Sequence, residues 1–215
     1  GNVSYTIVTA AAISADLAYN GMNPADVSVV NNNTDSGKYI FVTNTTRNGS
    51  FGGSLTADAA CNGDSAKPRA GTYRAIIGHA SFPVLSDPGP PAAYDEVAER
   101  DLFTDWVLQG NTRYYRGADS RLVGTTSVLG ALPNTLVNSL HSSAVSYWTG
   151  LSSGASISTS CNASSIYPSS LGPTWASASS GRNGRVGDGA STSTTSISAG
   201  TQPCNVSLAL LCAEQ

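Results

Sequence analysis

Residues Asn205-Val-Ser-Leu-Ala-Leu-Leu-Cys212 predict one extended apolar strand, and the fold depends on how this strand is tied to the rest of the chain. Cys204 directly precedes the strand and Cys212 ends it. Because an extended strand of this length holds its ends far apart, we do not expect these two cysteines to bond to each other. The other two cysteines are Cys61 and Cys161, and none of the spacings is typical of a zinc site. Two long-range disulfide pairings therefore remain open.

The composition limits the class of partner and the compartment. Only 12% of the 215 residues are charged, and the formal net charge is −3. Because the chain has no basic field, we expect neither a nucleic-acid partner nor a grip on anionic membranes. No run approaches the roughly 18 apolar residues of a membrane span. Disulfides persist in oxidising compartments, so we expect a secreted protein or one displayed on a cell surface.

Residues 1–36 differ from the remainder, which we assign to a main domain over residues 37–215. Two short alternating runs, residues 5–8 and 27–30, predict strands separated by turn-like sequence. The run from Ser14 to Val30 resembles the closing strands of the immunoglobulin-like or Calx-beta-like repeats of bacterial surface proteins. About 35 residues cannot bury a sandwich core alone. We therefore expect these strands to belong to a preceding β-repeat or linker, and to pack on the main domain or on further sequence.

The first half of the main domain predicts an alternation of strands and helices. Lys38–Thr43 and Gly71–Gly78 are typical strand sequences. A helix is predicted over Leu55–Cys61, capped by Ser54 or Thr56. A second helix is predicted over Tyr94–Leu108, because apolar residues recur there every four positions. These elements together predict an α+β fold.

The second half predicts a hairpin and two central strands. Arg113–Arg116 and Arg121–Gly124 flank a turn, and Tyr147–Leu151 is apolar enough for the middle of a sheet, as is Leu208–Cys212. Ser and Gly dominate residues 152–201, and by composition alone this stretch is predicted to be disordered. Two bridging cysteines and a large aromatic residue in or beside it indicate instead that it is tied to the core. Three tryptophans are expected in that core: Trp106, Trp148 and Trp175.

Several motifs carry a resemblance to a known family: Tyr39-Ile-Phe-Val-Thr, Ala57-Asp-Ala-Ala-Cys, Ala70-Gly-Thr-Tyr-Arg-Ala, Tyr147-Trp-Thr-Gly-Leu and Leu210-Leu-Cys-Ala-Glu-Gln. Their order resembles the C-type lectin-like fold and its endostatin branch. The region 37–215 resembles more closely the domain of the leptospiral endostatin-like surface proteins. The resemblance implies a mixed, mostly antiparallel sheet with two helices, on a bacterial outer surface. It also implies nested disulfides, Cys61 with Cys212 and Cys161 with Cys204.

One departure from sugar-binding C-type lectins concerns calcium. Neither of their calcium-binding tripeptides, Glu-Pro-Asn and Gln-Pro-Asp, occurs, and Asp188 is the only acidic residue between Asp119 and Glu214. A hard divalent cation needs several oxygen ligands, including carboxylates. We therefore expect no metal site and no cofactor.

Catalytic chemistry has little support in the sequence. His79 and His141 are the only histidines, and neither lies in a recognisable nucleophile motif. No catalytic residue is assigned, and the chain is expected not to be an enzyme.

The candidate binding residues are arginines and tyrosines of the predicted hairpin, together with Arg74, which matches the arginine of the endostatin-like strand. The hairpin set is Arg113, Tyr114, Tyr115, Arg116 and Arg121. Arg and Tyr are common anchors of protein interfaces, so these side chains could hold a protein or an acidic glycan. The alternative, which we favour, is a solvated strand face beside core tyrosines.

The expected function follows from the resemblance. It implies a non-enzymatic binding or adhesion domain that recognises host macromolecules, such as extracellular-matrix proteins or a complement regulator in serum. One alternative is a calcium-independent glycan-binding tip that stacks sugars on aromatic side chains. Another is a purely structural cap that ends an array of repeats and shields its last edge strand.

Overall fold

A computed structural model describes residues 3–31, 37–78, 100, 105–162 and 174–215. The chain divides into two compact units, residues 1–36 and residues 37–215. This boundary coincides with the one expected from the sequence.

The first unit is built on a two-stranded antiparallel sheet. Strand β1 (Val3–Ile7) pairs with β2 (Val27–Asn31). In this register Tyr5 lies opposite Val29, and Ile7 lies opposite Val27, so these side chains share one face. Tyr5, Ile7 and Val27 are each 51% exposed. The two predicted strands are thus present, but none of the residues whose burial is described in this unit is buried.

In the part that the structure describes, the second unit is an eight-stranded mixed sheet with one α-helix. The helix is α1 (Ser54–Gly63), and a short 3₁₀ turn spans Thr194–Ser196. The strands are β3 (Lys38–Val42), β4 (Tyr73–Ala75), β5 (Arg113–Arg116), β6 (Leu122–Thr125), β7 (Ser146–Trp148), β8 (Asn183–Asp188), β9 (Gly200–Pro203) and β10 (Ala209–Glu214). Their spatial order is β6-β5-β3-β10-β7-β8-β9, and β4 also pairs with β10.

Strand β10 lies in the middle of the sheet, as the sequence predicted. It runs antiparallel to β3 and β4 and parallel to β7. All six of its residues are buried. Leu211 packs in one hydrophobic cluster with Ile40 and Tyr147, whereas Leu210 packs in a second cluster with Phe41 and Trp148. A strand covered on both faces needs apolar residues at successive positions, which explains the run Leu-Ala-Leu-Leu.

The predicted fold class is wrong. The described residues form mostly β structure, a curled mixed sheet with a single helix, and not a C-type lectin-like α+β fold with two helices. Of the second predicted helix, residues 94–99 and 101–104 lie outside the described residues, and residues 105–108 are not helical. Asp105 has φ 45°, a left-handed conformation that a right-handed helix does not contain. Val107 and Leu108 enter the core from these irregular residues.

Helix α1 is present, but its predicted cap is wrong. The helix begins at Ser54, and its N-cap residue is Gly53, which makes no side-chain hydrogen bond. Gly53 has φ 94°, a conformation that favours glycine, and this explains why neither Ser54 nor Thr56 takes the position. The face bearing Ala57 and Cys61 is buried against the sheet.

Both disulfides have the pairing that the family resemblance implied. Cys61 on α1 is bonded to Cys212 on β10, and Cys161 is bonded to Cys204, with all four residues fully buried. The second bond ties the Ser-rich stretch to the sheet, and within that stretch the structure describes β8, β9 and the 3₁₀ turn. Residues 163–173 lie outside the described residues.

The three tryptophans lie in or against the core. Trp148 and Trp175 are fully buried with ring centroids 5.7 Å apart, and Trp106 packs partly buried against the other cluster. Trp175 also stacks on Phe51 at 4.8 Å and donates a hydrogen bond from Nε1 to the carbonyl oxygen of Gly78 at 2.8 Å. These contacts support its left-handed backbone, φ 60°, which is unfavourable for a bulky residue.

Candidate functional site

The hairpin of β5 and β6 divides the predicted binding residues between two faces of the sheet. Alternation along β5 turns Tyr114 and Arg116 into the core, whereas Arg113 and Tyr115 face outward. Tyr114 is fully buried, and burial raises the pKa of its hydroxyl to about 12. Its hydroxyl oxygen accepts a hydrogen bond from the backbone N–H of Gln109 at 2.9 Å. Tyr114 therefore supports the fold and is not accessible to a ligand.

Arg116 is likewise a structural residue. It is 6% exposed and forms a two-pronged ion pair with Asp119, at 2.8 Å from Nε and 2.5 Å from Nη2. Its Nη1 donates to the carbonyl oxygen of Ser139 at 3.2 Å. The hydrogen bond with Asp119 raises the pKa of Arg116, and the charge is held within the hairpin.

Arg74 belongs to a different ion-pair network. Its guanidinium contacts Asp58 and Asp105. Arg100, which is 1% exposed, donates to both oxygens of Asp58 at 2.7 and 2.9 Å and to the carbonyl oxygen of Ala75 at 3.2 Å. This network fixes α1 to β4, because Asp58 is on the helix and also accepts the backbone N–H of Ala75 at 2.7 Å. Arg74 is therefore not grouped with the outward residues of the hairpin.

On the outer side of β5, two tyrosines and an arginine form a contact surface. Tyr115 lies opposite Tyr39 in the parallel pairing of β3 with β5, and their ring centroids are 6.4 Å apart. The guanidinium of Arg69 lies 4.7 Å from the centroid of the Tyr39 ring, within the range of a cation–π contact. Arg113 lies two residues before Tyr115 on the same side of the strand and is exposed.

We call this surface the aromatic–arginine face and define it by Tyr39, Arg69, Arg113 and Tyr115. Arg121 follows the hairpin turn, directly before β6, and its side chain is 66% exposed. The neighbouring Ser120 hydroxyl lies 3.2 Å from the hydroxyl of Tyr39, so the turn adjoins the tyrosine pair.

Glu214 holds the aromatic–arginine face in place from within the sheet. Its side chain is 9% exposed, and its two oxygens accept from Nε and Nη2 of Arg69, each at 2.8 Å. The same carboxylate accepts the backbone N–H of Tyr39 at 3.0 Å. The hydrogen bond to Glu214 raises the pKa of Arg69, whose side chain remains 42% exposed. A planar guanidinium clamped at two points keeps a fixed orientation over the tyrosine ring.

Because Gly37 has no side chain, the ring of Tyr115 can pack directly against its backbone. A Cβ atom at position 37 would collide with the Tyr115 ring and lie 2.8 Å from the carbonyl oxygen of Arg113. A larger residue would therefore displace the ring, so glycine here is explained by close packing.

The sequence missed three residues of this site, which are Tyr39, Arg69 and Glu214. Tyr39 and Glu214 lie inside motifs quoted for the resemblance but were given no role in binding. Arg69 lies in an irregular loop, and no pattern in the sequence marks it. Of the predicted binding residues, the structure brings Arg113 and Tyr115 to one surface, whereas Arg121 contacts Asp119, the carboxylate that also holds Arg116.

The two histidines add no chemistry that the structure describes. His79 lies outside the described residues. His141 contacts its neighbour Ser143, whose hydroxyl lies 3.1 Å from Nδ1. Within the described part of the chain, no three His, Cys, Asp or Glu side chains group closely enough to hold a metal ion.

Acid should destabilise the fold because it protonates Asp119, whose carboxylate forms an ion pair with Arg116. The hydrogen bond from Arg116 lowers the pKa of Asp119 to about 2 from an ordinary 3.8. A lowered folded-state pKa adds stability that is complete above the unfolded pKa and is lost as the pH falls through the folded one. We expect the melting temperature to fall between pH 4 and pH 2, and to fall less steeply in Asp119→Asn, as measured by thermal unfolding at each pH. Equal slopes in the two proteins would contradict this assignment.

Comparison with known proteins places the chain in one family. A family model described as "Protein of unknown function (DUF1554)" matches residues 44–192, more than half of the chain. The chain therefore belongs to this family. The matched region contains Arg69, Arg113, Tyr115 and Arg121, whereas Tyr39 lies before it. No curated protein matches the chain. In the described residues, no helix is both long and apolar enough to cross a membrane.

Proposed function

We propose that residues 37–215 form a non-enzymatic binding or adhesion domain, exposed on a bacterial surface, that recognises host macromolecules. Extracellular-matrix proteins and a serum complement regulator are the partners that this role would require. The two buried disulfides are compatible with an extracellular location.

The observation that carries this proposal is the aromatic–arginine face. Tyr39, Arg113 and Tyr115 lie on strands fixed by the core, so binding would cost little ordering of the backbone. Tyr and Arg are enriched among the residues that dominate binding energy at protein interfaces. The clamp from Glu214 holds Arg69 against Tyr39 before any partner arrives.

The role of the face is tested with Tyr115→Ala. Truncating a central anchor typically costs about 1 to 2 kcal/mol, so we expect about tenfold weaker binding to the partner. The 215-residue protein is passed over immobilised laminin, fibronectin and factor H, and affinities are measured by surface plasmon resonance. The matched control is Tyr19→Ala, because Tyr19 is a 61% exposed tyrosine in the first unit.

Two outcomes would count against the proposal. If none of the three proteins binds, the host-macromolecule role fails. If they bind equally well to wild type and Tyr115→Ala, the role survives but the aromatic–arginine face is not its site. A glycan array, read with and without chelator, tests the alternative of calcium-independent sugar binding. Partly exposed tyrosine rings would also suit that function.

A further inference from the structure

The charges around the aromatic–arginine face are unbalanced. Two arginines lie on it, namely Arg69 and Arg113. Among the described residues the carboxylate paired with them is Glu214, which leaves an excess of one positive charge. The whole chain has a net charge of −3, so this corner differs in sign from the rest of the molecule.

Both of these arginines have donors directed to no described residue. Nε and Nη2 of Arg69 donate hydrogen bonds to Glu214, and Nη2 also donates to the carbonyl oxygen of Gly37. No described residue accepts a hydrogen bond from its Nη1. Arg113 is exposed and forms no ion pair among the residues that the structure describes. A carboxylate approaching the face would therefore find N–H donors that no carboxylate among the described residues has taken.

The same surface offers partly exposed apolar area beside these donors. Leu122 lies opposite Tyr115 across the β5–β6 pairing and is half-buried, as are Tyr115 and Tyr39. Rings and an aliphatic side chain, with guanidinium groups at the edge, form the combination of apolar centre and polar rim that is typical of peptide-binding surfaces.

We propose that the aromatic–arginine face binds an acidic peptide segment of a partner protein, with peptide carboxylates on Arg113 and on Nη1 of Arg69 and an apolar peptide side chain against Tyr115. This inference rests on the proposed function and names the chemistry of the partner. Charge complementarity selects the occupant, because guanidinium groups bind carboxylates with a planar geometry that suits both.

A long polyanion fits the face less well. Binding of a polyanion draws on many cations at once, and its affinity scales with the number of anionic groups neutralised. Among the described residues of the face the excess is one charge, on a chain that is negative overall, so a polymer extending beyond the face would meet repulsion. One or two carboxylates on a short segment suit this small excess.

The experiment selects peptides from a random display library against the 215-residue protein and measures their affinities by fluorescence polarisation. We expect the selected peptides to be enriched in Asp and Glu. Their affinity should fall about tenfold in Arg113→Glu, and should weaken as salt increases. Arg121→Glu is a second variant that should act in the same direction. The control is Arg182→Glu, which makes the same charge change beside β8, away from the hairpin.

Three results would overturn the inference. They are a failure to select any peptide, selected peptides without acidic enrichment, and acidic peptides that bind Arg113→Glu as tightly as wild type. Retention on dextran sulfate that Arg113→Glu abolishes, without acidic peptides being selected, would assign the face to a polyanion instead. If host proteins bind through Tyr115 but the peptides show no acidic preference, only this inference fails and the proposed function stands.

Discussion

Replacing both Cys61 and Cys212 with alanine should lower the free energy of unfolding by about 5 kcal/mol, the largest loss that we expect from removing one interaction. The bond joins residues 151 positions apart, so without it the unfolded chain gains the conformational freedom of a very long loop. Urea unfolding without reductant measures the difference between this variant and wild type. A loss of this size is comparable to the whole stability of many domains.

The second disulfide supplies the matched control. Removing Cys161 and Cys204 frees a loop of 43 residues, for which the same entropy model gives about 4 kcal/mol. Wild type treated with reductant under unfolding conditions should become less stable than either variant. If the Cys61 and Cys212 variant unfolds at the wild-type urea concentration, helix α1 does not depend on its covalent link to β10.

Replacing Asp58 with asparagine should cost about 3 to 5 kcal/mol, because it leaves the buried Arg100 charge without its two-pronged partner. Arg100 is 1% exposed and donates to both Asp58 oxygens. An asparagine of the same shape keeps one acceptor but removes the negative charge. The effect is measured by urea unfolding at neutral pH.

Asp105→Asn is the control for this prediction. Asp105 contacts the same two arginines, but its side chain is 35% exposed, so water can replace part of the interaction. We expect a cost of about 1 kcal/mol or less for a pair so screened. Equal losses in the two variants would show that burial of Arg100 does not set the cost.

Elements with strong local patterns could be predicted from the sequence. The apolar run in β10, the turn between β5 and β6, and the strand at β3 were each predicted within a few residues. Burial on both faces makes a strand uniformly apolar, and turn residues mark a hairpin, so both signals are local. The prediction of a second helix was wrong: the described residues at its C-terminal end, 105–108, are irregular, and they enter the core at Val107.

The candidate site was predicted only in part. Alternation along Arg113-Tyr-Tyr-Arg already separates Arg113 and Tyr115 from Tyr114 and Arg116, and applying that period would have divided the predicted set correctly. Contacts between distant positions could not be predicted in this way. Glu214 reaches Arg69 across 145 residues and the backbone of Tyr39 across 175, and no local pattern records such a pairing.

The central place of β10 has a consequence for biosynthesis. Strands β3, β4 and β7 all pair with residues 209–214, which leave the ribosome after every other strand of the sheet. Until β10 has been synthesised the middle of the sheet has no partner, so the domain cannot reach its native arrangement before that point. Such non-local pairing slows folding and prolongs exposure of unpaired edges. The nascent domain should therefore stay open until its synthesis is complete, a state suited to export as an unfolded chain.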